Sequence, residues 1–219
     1  MASAFRSVLF GVSAALLTSL PLFALADGSD TEAQRLGSKR TAERYNVTFP
    51  GSSTKAGAAS IYVNAPLETV RKVVTDYGRY SEFVGEFRKS RVIGKKDGAT
   101  DVYLEVSILR GAAKICALTR FGAPTKEGTG ERIDGNLVEG PGIANNVEGL
   151  RGTWHYRPVD DTHTLLKLEL LVLPKLPVPS ALITPELASA ADQTVTAVRN
   201  RAEAKAIQDP VIGTARKEE

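Results

Sequence analysis

The sequence predicts an α+β domain: an antiparallel sheet of about seven strands covered on one face by a long C-terminal helix, with two short helices after the first strand. Three observations predict it. Several segments alternate apolar and polar residues with the period of a strand that is wet on one face. These segments follow one another without the intervening helices that parallel βαβ units require. Near the C-terminus, from about Ser180 to Ile207, apolar residues recur at three- and four-residue spacing, and roughly 25 helical residues span about 40 Å.

The folded region begins near Ala59. Ser60-Ile61-Tyr62-Val63 reads as a half-buried strand, and Asn64-Ala65-Pro66 starts a helix with proline near its first turn, where a missing N–H costs nothing. Leu67, Val70, Val73 and Val74 give that helix one apolar face before Asp76-Tyr77-Gly78 stops it. Tyr80, Phe83, Val84 and Phe87 form a second short helical stretch or a tight connection. Arg88–Gly94 is a strand closed by the turn cluster Lys95-Lys96-Asp97-Gly98. In Asp101–Leu109, Val102, Leu104, Val106 and Ile108 share one face. Lys114–Phe121 is shorter and mixed, and Gly130–Glu139 runs into the breaker Gly140-Pro141-Gly142. Val147–Pro158 and Thr162–Leu173 form a hairpin over Val159-Asp160-Asp161, with Leu166, Leu168, Leu170 and Val172 on one face. After the proline-rich link Pro174–Pro179, the long helix presents Ile183, Leu187, Ala191, Val195, Val198 and Ala202 along one side. Pro185 is accommodated in its first turn, and Asp209-Pro210 ends it.

The two ends differ from this middle. Met1–Ala26 has one basic residue, Arg6, an apolar run from Val8 through Leu25 without acids, and Ala24-Leu25-Ala26 as a small-x-small site. That is the layout of a secretory signal peptide cleaved after Ala26, with export, most simply to a periplasm, as the consequence. Pro21 and the small-residue site argue against a retained membrane anchor, although the apolar run touches the lower limit of a spanning helix. Residues 27–58 read as a polar, loosely structured leader with one short strand near Tyr45–Phe49; 59–207 is the domain, and 208–219 is a flexible tail. Asn46-Val47-Thr48 matches the glycosylation sequon, a short pattern that often occurs by chance.

Composition narrows the function classes. Without Arg6 the basic residues number 27 against 25 acidic, and no run of like charge marks a nucleic-acid tail. Cys116 is the single cysteine, so an internal disulfide is excluded, and with only two histidines a Cys/His zinc site is not expected. No cofactor is expected either.

The order of elements, with three sets of residues, resembles the polyketide-cyclase/START (Bet v 1-like, SRPBCC) superfamily, the helix-grip fold. These sets are Ile61-Tyr62-Val63-Asn64-Ala65-Pro66, then Val73-Val74-Thr75-Asp76-Tyr77 with Tyr80 and Phe83, and finally Leu150-Arg151-Gly152-Thr153-Trp154 through Arg157-Pro158 and Thr164. The resemblance covers about Ala59–Glu203, and the coenzyme-Q-binding and cyclase/dehydrase-like branch is the most similar. It implies a curved sheet gripping a helix with an apolar cavity between them, and hence a hydrophobic small molecule or lipid as partner. Transient membrane contact is compatible with such a ligand. The superfamily hosts carriers and enzymes alike, so fold alone does not choose.

On that implication, the cavity-lining candidates are Val102, Leu104, Val106 and Ile108 on one strand and Leu166, Leu168 and Leu170 on another. Trp154 and Tyr156, two residues apart on one strand face, offer aromatic surface to a flat ring. Ile183, Leu187, Ala191 and Val195 face them from the helix, where the small residues leave room. All of these are equally compatible with plain core. No catalytic residue is assigned. His155 falls on the strand face opposite Trp154, His163 lies beside the Asp160-Asp161 turn, and Cys116 reads as a buried structural thiol. Arg110 and Arg120 read as surface charges, with a lipid headgroup as the alternative partner. Three readings result: an exported carrier of a lipid, isoprenoid or quinone; a cyclase or dehydrase acting on an aromatic or polyketide-like substrate; and an interaction module with a filled cavity.

Overall fold

The computed structural model describes residues 28–208 apart from positions 50, 51, 53, 109, 110, 112, 144 and 176–178. The expected signal peptide, nearly all of the expected tail, and Arg110 lie outside the described residues. In chain order the elements are α1 (Gly28–Lys39), β1 (Glu43–Val47), β2 (Ala56–Val63), α2 (Leu67–Val74), a 3₁₀ turn at Tyr77–Arg79, α3 (Tyr80–Phe83), β3 (Phe87–Lys96), β4 (Ala99–Ile108), β5 (Ala113–Phe121), β6 (Thr125–Glu127), β7 (Gly130–Leu137), β8 (Val147–Pro158), β9 (Thr164–Pro174) and α4 (Ser180–Gln208). Among the described residues the strands form one antiparallel sheet in the order β1-β2-β9-β8-β7-β5-β4-β3, with short β6 beside β7. This is the α+β helix-grip architecture expected from the sequence, with the leader strand and β6 added to the seven.

Local chemistry explains most boundaries. Lys96 pairs with Ala99 across Asp97-Gly98, both with positive φ (53° and 76°), the conformation of a type I′ hairpin turn. The Pro66 carbonyl receives the first amides of α2, from Thr69 and Val70, and Val70, Val73 and Val74 are its buried face. In α4 the structure differs from expectation at Pro185. The helix begins at Ser180, so Pro185 sits in the second turn and leaves the Ala181 carbonyl without its helical donor.

Within the segment read as a loosely structured leader, α1, β1 and the start of β2 are regular structure. Ala33 and Leu36 on α1 are buried with Leu165, and Tyr62 and Val159 pack against them, on the side of the sheet away from α4. Two apolar residues in a twelve-residue helix leave too thin a stripe for periodicity to reveal. Arg35 on α1 pairs with Glu43 at the start of β1. The domain's first long strand also begins at Ala56, three residues before the expected Ala59. Ala56-Gly57-Ala58 lacks the branched residues that mark strands, but what it does instead is admit α4.

That contact fixes the core. A Cβ on Gly57 would collide with the backbone of Leu187 and Ala188 on α4, so strand and helix meet backbone to backbone. The next inward residues on β2, Ala59, Ile61 and Val63, join Val70, Val73 and Val74 of α2 and Ala191, Val195, Val198 and Ala202 of α4 in one buried cluster. Polar ties hold the C-terminal half of α4. Glu203 accepts from the backbone N–H and the side-chain amide of Asn64 (both 2.9 Å), Asp192 pairs with Arg44, and Arg199 donates to the Arg40 carbonyl at 2.7 Å.

Gly57→Val should lower unfolding free energy by about 3 kcal/mol or more, or prevent folding, because neither backbone can yield. Gly85→Ala, with nothing within 4 Å of its added carbon, should stay within ~0.5 kcal/mol of the parent. Urea denaturation of both variants reads the contrast.

Candidate functional site

Along the sheet the space under α4 is filled at one end and open at the other. At the filled end Tyr77 stacks on Phe121 (centroids 4.4 Å apart, planes 12° apart). Tyr80 stands edge-on to Tyr77, Phe83 and Phe87. Phe121 in turn lies over Gly135 of β7, where any Cβ would strike its ring. At the other end α4 is a roof rather than a packing partner. Between its N-terminal half and strands β4, β5, β8 and β9 lies a cavity of about 110 Å³ that is open on one side.

Of the thirteen candidates named from the sequence, seven line this cavity: Leu104, Val106, Ile108, Trp154, Leu168, Leu170 and Leu187. Val102, Tyr156, Leu166, Ala191 and Val195 lie outside the lining and are buried in the packed core. Ile183 is partly exposed on the first turns of α4 and lies outside the lining. The physical reason for the split is that strand alternation reports which face a residue takes, not how far along the strand the helix stays in contact.

Other lining residues were missed as site residues. Ile115, Thr119 and Phe121 point inward from β5, whose alternation was legible but was read as mixed. Leu150 and Gly152 complete the β8–β9 wall beside Val172, which the predicted β9 face turns toward the helix, and Ala190 and Thr194 join Leu187 on α4. Tyr80 and Phe87 form an aromatic end wall, and Glu86, beside Phe87, reaches the rim. No sequence pattern marks Glu86, because it stands in a connection between α3 and β3.

The lining is chemically quiet. The Tyr80 hydroxyl donates to the Val74 carbonyl, and burial pushes its phenol well above the ordinary range, so it stays neutral. Thr194 bonds back to the Ala190 carbonyl at 2.7 Å. The Thr119 hydroxyl is buried without a hydrogen-bond partner. Glu86 is the one ionisable carboxylate of the lining.

The residues weighed for catalysis lie elsewhere. His155 Nδ1 meets Glu127 at 2.6 Å, on the strand face opposite Trp154. His163 Nδ1 lies 2.8 Å from Asp160 in the β8–β9 turn, where the Thr162 amide and His163 hold the Asp160 carboxyl down at about 2. Cys116, expected to be buried, is only half-buried. As its neighbours in β5 line the cavity, it takes the other face of the strand, and its contact with the Tyr103 hydroxyl, with burial, pushes that phenol up to about 12. Arg120 makes a two-pronged pair with Asp101 (2.7 Å each), so it is a cross-strand tie at the filled end and no part of the cavity.

Residues 63–199 match the family model described as polyketide cyclase/dehydrase and lipid transport. The chain belongs to this family. Solved structures share the fold at low identity. The human StAR-related lipid transfer protein 5 superposes with a TM-score of 0.65 at 10% identity, covering 81% of this chain and 95% of that one. A STAR-related lipid transfer protein from Xanthomonas axonopodis gives 0.62 at 17%, covering 74% and 93%. The Zhui aromatase/cyclase from Streptomyces sp. R1128 gives 0.53 at 15%, covering 76% and 96%. A search of curated protein sequences returned no match.

Thr119→Val replaces the orphan hydroxyl with a methyl of equal size, and removing an unpaired buried polar group should raise unfolding free energy by about 1 kcal/mol. A loss of stability on thermal or urea unfolding would mean that the hydroxyl has a partner.

Proposed function

We propose that this family member is an exported carrier that holds a hydrophobic small molecule, a lipid, isoprenoid or quinone, in the cavity under α4. One observation carries the reading. The cavity is walled almost wholly by aliphatic and aromatic side chains, its buried hydroxyls are neutral, and its single carboxylate stands at the rim. Such a space forgoes the packing contacts of a tight core, and its natural occupant is an apolar molecule. Trp154, Tyr80 and Phe87 give aromatic surface to a ring, and Leu104, Leu168 and Leu170 give aliphatic surface to a chain. Export rests on the character of Met1–Ala26.

The cyclase or dehydrase reading has one observation in its favour, the Glu86 carboxylate at the rim, a group able to take a proton from a bound substrate. Turnover of an aromatic or polyketide-like substrate that is lost in Glu86→Gln would replace the carrier reading.

The test of the carrier is native mass spectrometry of protein made with its leader and purified without detergent. The expected result is an added discrete mass that organic solvent removes. Ala190→Trp, which puts an indole in the roof of the cavity, should reduce that occupancy by ~10-fold or more while the circular dichroism is kept. A bare mass that persists after incubation with mixed membrane lipids and quinones would overturn the proposal.

A further inference from the structure

Beside the apolar cavity, sharing part of its wall, lies a second compartment of different chemistry. It is lined by Glu86, Arg88, Ser107, Glu186, Ser189 and Gln193 and shares Glu86, Ile108 and Ala190 with the cavity wall. Its groups are already oriented. Arg88 Nε donates to Ser107 Oγ at 2.9 Å on the outer side. With its amide nitrogen turned toward Glu86, Gln193 donates to that carboxylate and accepts from Ser189 Oγ at 3.2 Å. Glu86 is half-buried and is the one charged group common to both spaces.

We propose that this vestibule receives the polar head of the ligand, and that the head is an uncharged or cationic hydrogen-bond donor, a hydroxyl or an amine. The assignment rests on the apolar-cavity reading of the previous section and adds the class of head group to it. A molecule whose tail fills the space by Leu168 and Leu170 reaches the rim at Glu86, and an ionised carboxylate only accepts hydrogen bonds. Gln193 already donates to it, and its remaining lone pairs can take a hydroxyl or an ammonium. A carboxylate or phosphate would stand against Glu86, with Glu186 a second negative charge in the same compartment. Half-buried like charges repel more strongly than they do in water. Arg88 lines the same compartment, but it is exposed, so solvent screens its charge more than those of half-buried Glu86 and Glu186.

The test is competition against pyrene, a hydrocarbon probe without a head group, at neutral pH. The competitors are 1-hexadecanol, hexadecylamine and hexadecanoic acid, which share one chain. The alcohol and the amine should displace pyrene at concentrations ~10-fold or more below those the acid requires. Glu86→Gln should shrink the gap between amine and acid to about threefold with the circular dichroism kept. If pyrene binds but the acid competes as well as the alcohol, or Glu86→Gln leaves the ratio as it was, the head-group assignment is wrong and the cavity reading stands. If neither pyrene nor any chain binds, both fall together.

Discussion

At Gly57 the backbones of β2 and α4 meet with no side chain between them, and this contact governs the rest of the structure. A sheet with native twist curves away from a straight helix, so a helix lying flush on one strand must stand off from strands farther along. Among the strands, α4 packs chiefly on β2, β9 and β1. Over β4 and β5 the inward side chains Leu104, Val106, Ile108 and Ile115 end at open space instead of at the helix. The small residues of β2 and the large ones of β4 are therefore one device: the former set how low the helix sits, and the latter make the wall it does not touch. The site is a consequence of close packing elsewhere.

The two halves of α4 are treated differently. From Asp192 to Glu203 every turn is tied to another element, by Arg44, Arg40 and Asn64, and by Arg201, which lies over Phe83 at 4.7 Å and pairs with Glu82. The half before Ala191 has the Gly57 contact and then only the cavity beneath it, and Pro185 removes one of its own hydrogen bonds. Stability is thus concentrated at the end filled by Tyr77, Phe121 and α2. A ligand bound under the other half supplies the contacts that the protein lacks there, and its binding energy adds to the stability of the folded state.

Much of this was legible in the residues. The alternation of Val102 to Ile108 and of Leu166 to Val172 assigned faces correctly, and the helix positions Leu187, Ala191 and Val195 are buried as their spacing implied. The position of the cavity was not legible. Val102 and Val106 share a face and a residue type, yet Val102 is covered at the packed end and Val106 borders the void, a difference set by the distant Gly57 contact. Glu86 and α1 were missed for opposite reasons. Glu86 belongs to no periodic element. The helix α1 has a period, but only Ala33 and Leu36 express it, and their partner Leu165 lies more than a hundred residues away in the chain.

Opening a sheet around a cavity also breaks its ladder, and the break has to be repaired. β5 pairs with β7 only at Thr119, Arg120 and Phe121, after which the chain leaves through Gly140-Pro141-Gly142. The earlier part of β5, beside the cavity, would be left with bare backbone groups on that side, at a cost comparable to a lost hydrogen bond for each. The backbone amides of Val138 and Asn146 take the Leu118 and Cys116 carbonyls (2.9 and 3.1 Å), and two adjacent side chains take what remains. Asn145 Oδ1 accepts from the Leu118 amide at 2.8 Å, Asn146 Oδ1 accepts from the Cys116 amide at 2.7 Å, and Asn146 Nδ2 donates to the Lys114 carbonyl at 2.7 Å. An asparagine amide carries the same donor and acceptor as a peptide group but does not bring a neighbouring strand with it. The sheet can therefore part beside Ile115 and Leu150, two residues of the cavity wall, without leaving these groups of β5 unpaired.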